Sequence, residues 1–162
     1  MIVNREALLR ISPIKDMYVD KIKENGVSFG LGEAGYDIRI KQEIQFDNRQ
    51  GRQLVFCDGA VSEGSFTLAS AIEEFQMPTN LVGIVHDKST WARQALSVFN
   101  TVIEPGWKGF LTLELAYKGN GILKIPAGSG IAQVVFHLTS DEAQYEGKYQ
   151  NQTDNPQEAK FE

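Results

Sequence analysis

Glu114 is the residue best placed in this sequence to handle a proton. Leu111, Leu113, Leu115 and Tyr117 alternate with Thr112, Glu114 and Ala116, the two-residue period of a β-strand. That period turns Glu114 away from the leucines and holds its carboxylate on a rigid element. On an open face such a glutamate is a solvated surface group; burial in a pocket would raise its pKa and make it a proton shuttle. A second carboxylate, Glu104, falls in the turn Glu104-Pro105-Gly106-Trp107, where Pro and Gly account for the turn by themselves. The run from Asp87 to Arg93 joins an Asp able to cap a helical turn to Lys88, Ser89, Thr90 and Arg93. Amides at the start of a helical turn, beside such side chains, bind phosphates, and an ordinary capped turn with solvated charges explains the same run equally well.

Other chemistries are poorly supplied. A zinc site of the hydrolytic kind needs three His or Cys ligands with a nearby Glu, commonly with a Cys-x-x-Cys pair. This chain has one cysteine, Cys57, and two histidines, His86 and His137, so no zinc is expected. His86 at a strand end and His137 within an apolar run read as structural or surface residues. No Ser-His-Asp constellation is legible in the order of the residues.

The elements that must position these groups are mostly short and β-like. Asn4 is a candidate cap for a helix running to Ile11, with Ala7, Leu8 and Ile11 on one face and Pro13 ending it. A second, weaker helical stretch is expected from Asp16 to Glu24. From Val27 onward, strand patterns are expected at Tyr36 to Ile40, Glu43 to Phe46, Gln53 to Cys57, Ser65 to Ser70 and Leu81 to Val85. They continue at Leu96 to Phe99, Phe110 to Tyr117, Ile122 to Ile125 and Ile131 to Leu138. Many short strands separated by Gly, Asn and Pro predict a mainly antiparallel barrel or sandwich. After Leu138 the chain turns polar, which reads either as a loose tail or as a lid that orders over a ligand. The expected organisation is one β domain over residues 1–140, with its short N-terminal helical segment, followed by a polar tail over residues 141–162.

Length and charge narrow the partners. The 162 residues suit a single core, and a formal charge of -5 provides no basic stripe for a nucleic-acid polymer, although a local pocket can still hold a small anion. One cysteine allows no intrachain disulfide and fits a reducing compartment. With no apolar run long enough to span a bilayer, a soluble cytoplasmic protein is the expectation.

Six ordered segments carry a family resemblance. They are Gly35-Tyr36-Asp37-Ile38-Arg39, Lys88-Ser89-Thr90-Trp91-Ala92-Arg93, Glu104-Pro105-Gly106-Trp107, Leu113-Glu114, Gly130-Ile131-Ala132-Gln133 and Gly147-Lys148-Tyr149-Gln150-Asn151-Gln152. Together they resemble the dCTP deaminases of the trimeric dUTPase superfamily. The resemblance implies a distorted antiparallel β-barrel, a homotrimer and active sites built between subunits. It places Glu114 on the catalytic glutamate, with Ser89 and Arg93 near the reacting end. Lys88 and Ser89 would hold phosphate, and Gln133, Lys148 and Gln152 would complete the nucleotide site. The same carry-over extends substrate contact to Thr90, Glu104, Thr112 and Leu113. The tyrosine that the family usually carries ten residues before the tail glutamine is Glu142 here, so the role passes to Tyr145. Beyond Gln152 the tail reads Thr153-Asp154-Asn155-Pro156 in place of a more apolar family stretch.

The implied activity is deamination of dCTP to dUTP by water activated at Glu114, with Mg²⁺ entering on the triphosphate instead of a dedicated protein site. Two other readings stand beside it. One is a dUTPase or bifunctional enzyme that also releases pyrophosphate through Glu104, which replaces the aspartate usual in dUTPases. The other is a regulatory trimer that binds nucleotide without turnover.

Overall fold

In the computed structural model, which describes residues 1–162, fourteen strands and two short helices follow one another. In order they are β1 (Ile2–Val3), α1 (Arg5–Ile11), β2 (Lys21–Glu24), β3 (Val27–Leu31), β4 (Tyr36–Arg39), β5 (Ile44–Asp47), β6 (Leu54–Cys57), β7 (Ala60–Glu63), β8 (Phe66–Gln76) and β9 (Leu81–Asp87). There follow α2 (Ser89–Ala92), β10 (Leu96–Val98), β11 (Val102–Ile103), β12 (Lys108–Tyr117), β13 (Ile122–Ile125) and β14 (Gly130–Leu138). All strand pairs named here are antiparallel. The largest sheet runs β11-β9-β14-β4-β3-β2, with β1 added to β14; a second runs β10-β12-β8 and a third β13-β5-β6-β7. These sheets close around one cluster of 32 buried apolar side chains as a distorted β-barrel. No helix is long and apolar enough to cross a membrane.

Three local expectations are corrected. The stretch from Asp16 to Glu24 is not helical: its second half is β2, paired with β3 through a hairpin at Asn25-Gly26, where both residues have positive φ (52° and 78°). Asn-Gly is the sequence that a two-residue hairpin with this backbone twist demands, and here it outweighs the helix-favouring Lys and Glu residues. Asn4 does precede α1, but its side chain makes no cap; its amide donates to the Glu33 carbonyl at 2.7 Å. On α1 the inward residues are Leu8, fully buried, with Ala7 and Leu9 packed beside it, while Ile11 is exposed.

The β8–β12 pair carries Glu114. β8 is longer than its apolar pattern suggests, because Glu73 and Glu74 interrupt that pattern without ending the strand. The register shifts between Phe110 and Thr112, and next to this irregularity Ile40 bridges Ala71 of β8. The buried Glu73 carboxylate then accepts hydrogen bonds from the Arg39 backbone N–H at 2.9 Å and from Arg39 Nε at 2.8 Å. That ion pair ties the large sheet to the β8–β12 ribbon.

Candidate active site

Strand parity sets the reactive face. Along β12, Leu111, Leu113, Leu115 and Tyr117 are buried while Thr112, Glu114 and Ala116 are half-buried on the opposite side. Cross-strand, Thr112 faces Ser70, Glu114 faces Leu68 and Ala116 faces Phe66. Thr112 and Glu114, together with Glu104 from the turn after β11, line a cavity of about 800 Å³, a size suited to a small organic ligand. Burial pushes the Glu114 pKa up from the ordinary glutamate value, and only its own backbone amide opposes that shift. No Lys, Arg or His is among the residues that line this cavity. Glu114 therefore meets no counter-ion there that would offset the effect of burial.

The tail supplies the outer wall. It is not loose: Tyr145 N–H donates to the Pro105 carbonyl at 2.9 Å, Trp107 Nε1 donates to the Tyr149 carbonyl at 2.7 Å, and Gln152 bridges Gly109 in parallel. Gly109 has φ +135°, and a Cβ added there would stand 2.7 Å from the Gln152 backbone nitrogen, so the absence of a side chain is what lets the tail lie against β12. Further on, the Asp154 carbonyl accepts from Ser70 Oγ at 2.8 Å and its carboxylate pairs with Lys41 at 2.7 Å. Gln157 N–H donates to Thr112 Oγ1 at 3.0 Å. Tyr145, Gln152 and Glu158 thereby line the cavity opposite Glu114. Lys148 is not among the lining residues; it donates to the Lys160 carbonyl and lies over the Tyr149 ring.

The cationic residues gather on another face. Asp87 ends β9, and its carboxylate accepts from Val98 N–H at 2.7 Å instead of capping a helix; Lys88 occupies the cap position of the four-residue α2. Lys88 Nζ is held by Asp37 at 2.5 Å and Ser28 Oγ at 3.1 Å, with both charged side chains nearly buried. Gln133 of β14 lies between Asp37 on β4 and His86 on β9 in register. Trp91 Nε1 donates to the Gly130 carbonyl at 2.7 Å and fastens α2 to the sheet. Ser89, Thr90 and Arg93 stand exposed beside it.

The expected site residues thus separate into two groups in one chain. Glu104, Thr112, Glu114, Tyr145 and Gln152 meet at the cavity; Lys88, Ser89, Thr90, Arg93, Gln133 and Lys148 do not line it. The Leu113 side chain is in the core, 1% exposed, so only its backbone can touch a ligand. Residues missed from sequence include Phe66, Leu68, Gln157 and Glu158 at the cavity and Asp37 beside Lys88. The alternation of β8 points Phe66, Leu68 and Ser70 to one face, but nothing local says that this strand pairs with β12.

With this geometry in hand, comparison with known proteins is informative. Residues 4–139 match the family described as dCTP deaminase-like. The chain is 35% identical to the dCTP deaminase of Roseiflexus castenholzii, over 86% of this chain and 86% of that protein. It is also 35% identical to the dCTP deaminase of Chlamydia trachomatis, over 88% and 86% respectively. Among solved structures, the native EIAV dUTPase superposes with a TM-score of 0.53 at 20% identity, covering 85% of this chain and 92% of that one. The 2'-deoxycytidine 5'-triphosphate deaminase of Agrobacterium tumefaciens superposes with a TM-score of 0.59 at 15% identity, covering 85% of this chain and 48% of that one. At these identities the two structures speak for the fold.

Proposed function

The chain belongs to the dCTP deaminase-like family, and from that premise we propose that it hydrolyses dCTP to dUTP and ammonia, with Glu114 as the proton carrier. The observation that carries the reading is Glu114 itself: a carboxylate on a rigid strand, facing a cavity, with its pKa raised by burial and no cation among the cavity's residues. A glutamate so placed takes a proton from water as the oxygen attacks C4 of cytosine. One water proton ends on N3 and the other on the exocyclic nitrogen, which leaves as ammonia as the C4–N bond breaks and the C4 carbonyl forms. One carboxyl acts first as base and then as acid.

The triphosphate must lie where cations are, and the cavity has none. Lys88, Ser89, Arg93 and Gln133 form that half on the α2 face. In a homotrimer with sites between subunits, the α2 face of one copy would adjoin the Glu114 cavity of the next. Arg93 and Ser89 would then orient the water and stabilise the charge developing at C4, a preorganised electrostatic role that zinc fills in other deaminases. Gln152, with Lys148 after a change of partner, would close the tail over the nucleotide. Mg²⁺ would arrive on the phosphates, whose oxygens supply its ligands.

A second reading is favoured by one observation, the presence of Glu104 in the same cavity. Pyrophosphate release needs a second water held in line behind the α-phosphorus. Glu104 would hold it one methylene further out than an aspartate does, a displacement of about 1 Å that can reduce a rate roughly 100-fold. Deamination alone is therefore the stronger reading. Incubation of the purified protein with dCTP should give ammonia and dUTP in equal amounts, and added dUTP should persist. Stoichiometric pyrophosphate from either nucleotide would establish the bifunctional reading, and absence of ammonia from dCTP would remove the deaminase one.

A further inference from the structure

Glu114 stands on a boundary. On one side of it are Thr112, Ser70 and the Gln157 amide. Leu68 faces Glu114 directly; on the other side are Phe66 and Ala116 by strand register, and Phe99, whose N–H donates to the Glu114 carbonyl at 3.1 Å. Phe66 and Phe99 stack on each other with centroids 6.0 Å apart and planes inclined by 28°. Phe66 also lines the cavity, and the two residues stay 47% and 48% exposed. Folding thus leaves a paired aromatic surface uncovered beside the carboxylate that handles protons.

A pyrimidine presenting C4 to a water on Glu114 sends its N3 edge to one flank and its C5 edge to the other. Placed against phenyl rings, N3 and O2 would lose hydrogen bonds to water without replacement; the C5 edge has none to lose. We propose that Phe66 and Phe99 form a subsite for the C5 position, so that this chain deaminates 5-methyl-dCTP, giving dTTP, at a higher kcat/KM than dCTP. This specificity rests on the deaminase reading above. The chemistry is unchanged and needs no other reactant. Water oxygen bonds C4, Glu114 relays one water proton to N3 and the other to the exocyclic nitrogen, the C4–N bond breaks, and the nitrogen departs as ammonia while C4 becomes a carbonyl. Burying one additional methyl group against the two rings is worth about a fourfold gain.

The test measures ammonia release from dCTP and from 5-methyl-dCTP by the full chain and by its Phe66→Ser and Phe99→Ser variants. The expected ratio of kcat/KM, 5-methyl-dCTP over dCTP, is about four in the unmodified chain, falling toward one in each variant. Loss of folding would not change that ratio selectively, because it removes active protein equally for both nucleotides. A ratio below one in the unmodified chain, or an unchanged ratio in both variants, overturns the subsite. Ammonia from neither nucleotide overturns the deaminase reading and the subsite with it.

Discussion

Two glutamates withdrawn from solvent sit on the same β8–β12 ribbon and have opposite surroundings. Glu73 accepts two hydrogen bonds from Arg39, whose guanidinium also lies 4.7 Å from the Phe29 ring centroid. Glu114 has no cationic neighbour and faces a cavity. A buried charge with a complete set of partners is part of what holds the sheets together, whereas one without partners lowers stability and is retained for what it can do. The comparison separates a paired carboxylate from an unpaired one within a single strand pair, and the proposed function gives the chemistry to the second.

Removing the structural carboxylate should have the largest effect on folding. Glu73→Ala leaves Arg39 without its acceptor and should cost about 3 kcal/mol, the lower end for a broken buried pair because Arg39 retains some access to water; urea unfolding would measure it. A loss below about 1 kcal/mol would mean that the pair adds little to the fold. Next in size is Gly109→Ala, which places a Cβ at φ +135° against the Gln152 backbone and should cost roughly 2 kcal/mol. In a chain truncated after Thr139 the same substitution should cost less, since the steric part disappears with the tail. Equal cost in both chains would show that the tail does not lie on Gly109 in solution. Truncation alone should leave the barrel folded and lower turnover by about tenfold or more through loss of the closing segment; an unaffected rate would make the tail dispensable.

Smaller still is the stability effect at Glu114, where burial raises the pKa as it does at Glu73 but no Arg offsets it, so that replacement should stabilise instead of destabilise. Because folding raises the Glu114 pKa, the folded chain holds this proton more tightly than the unfolded one. The resulting stability is complete below the ordinary glutamate pKa and is lost as pH rises through the folded value. At pH 7 Glu114→Gln should therefore raise Tm, by about 2 °C given the partial exposure of the site. That gain should vanish near pH 3. A variant less stable than the parent at pH 7 would reveal an unrecognised partner for the carboxylate.

The reactive strand was legible because its period is local. Four apolar residues alternating from Leu111 to Tyr117 determine which way Glu114 points, whatever strand lies beside it. Pairing was not legible. β1 and β11 are two residues each and exist as strands through β14 and β9, respectively. β8 extends through Glu73 and Glu74, where polar residues hide the strand because one of them is satisfied by Arg39, 34 residues away. The tail looked loose because hydropathy is blind to its attachments, which are hydrogen bonds such as those to the Pro105 and Gly106 carbonyls. The hairpin at Asn25-Gly26 did carry a local signal, but the Lys and Glu residues before it favoured a helix. In the site, the expectation that Lys88 binds phosphate rests on its neighbours in sequence. Its pairing with Asp37, 51 residues distant, could come only from the register of β4, β14 and β9.

The central claim is that Glu114 carries the proton, and the most direct measurement compares dCTP turnover and dCTP binding in the unmodified chain and in Glu114→Gln. The amide preserves the shape of the side chain and abolishes proton transfer. Ammonia release should fall by at least about 100-fold while the dissociation constant for dCTP changes by less than about threefold. Turnover close to that of the unmodified chain would contradict the account.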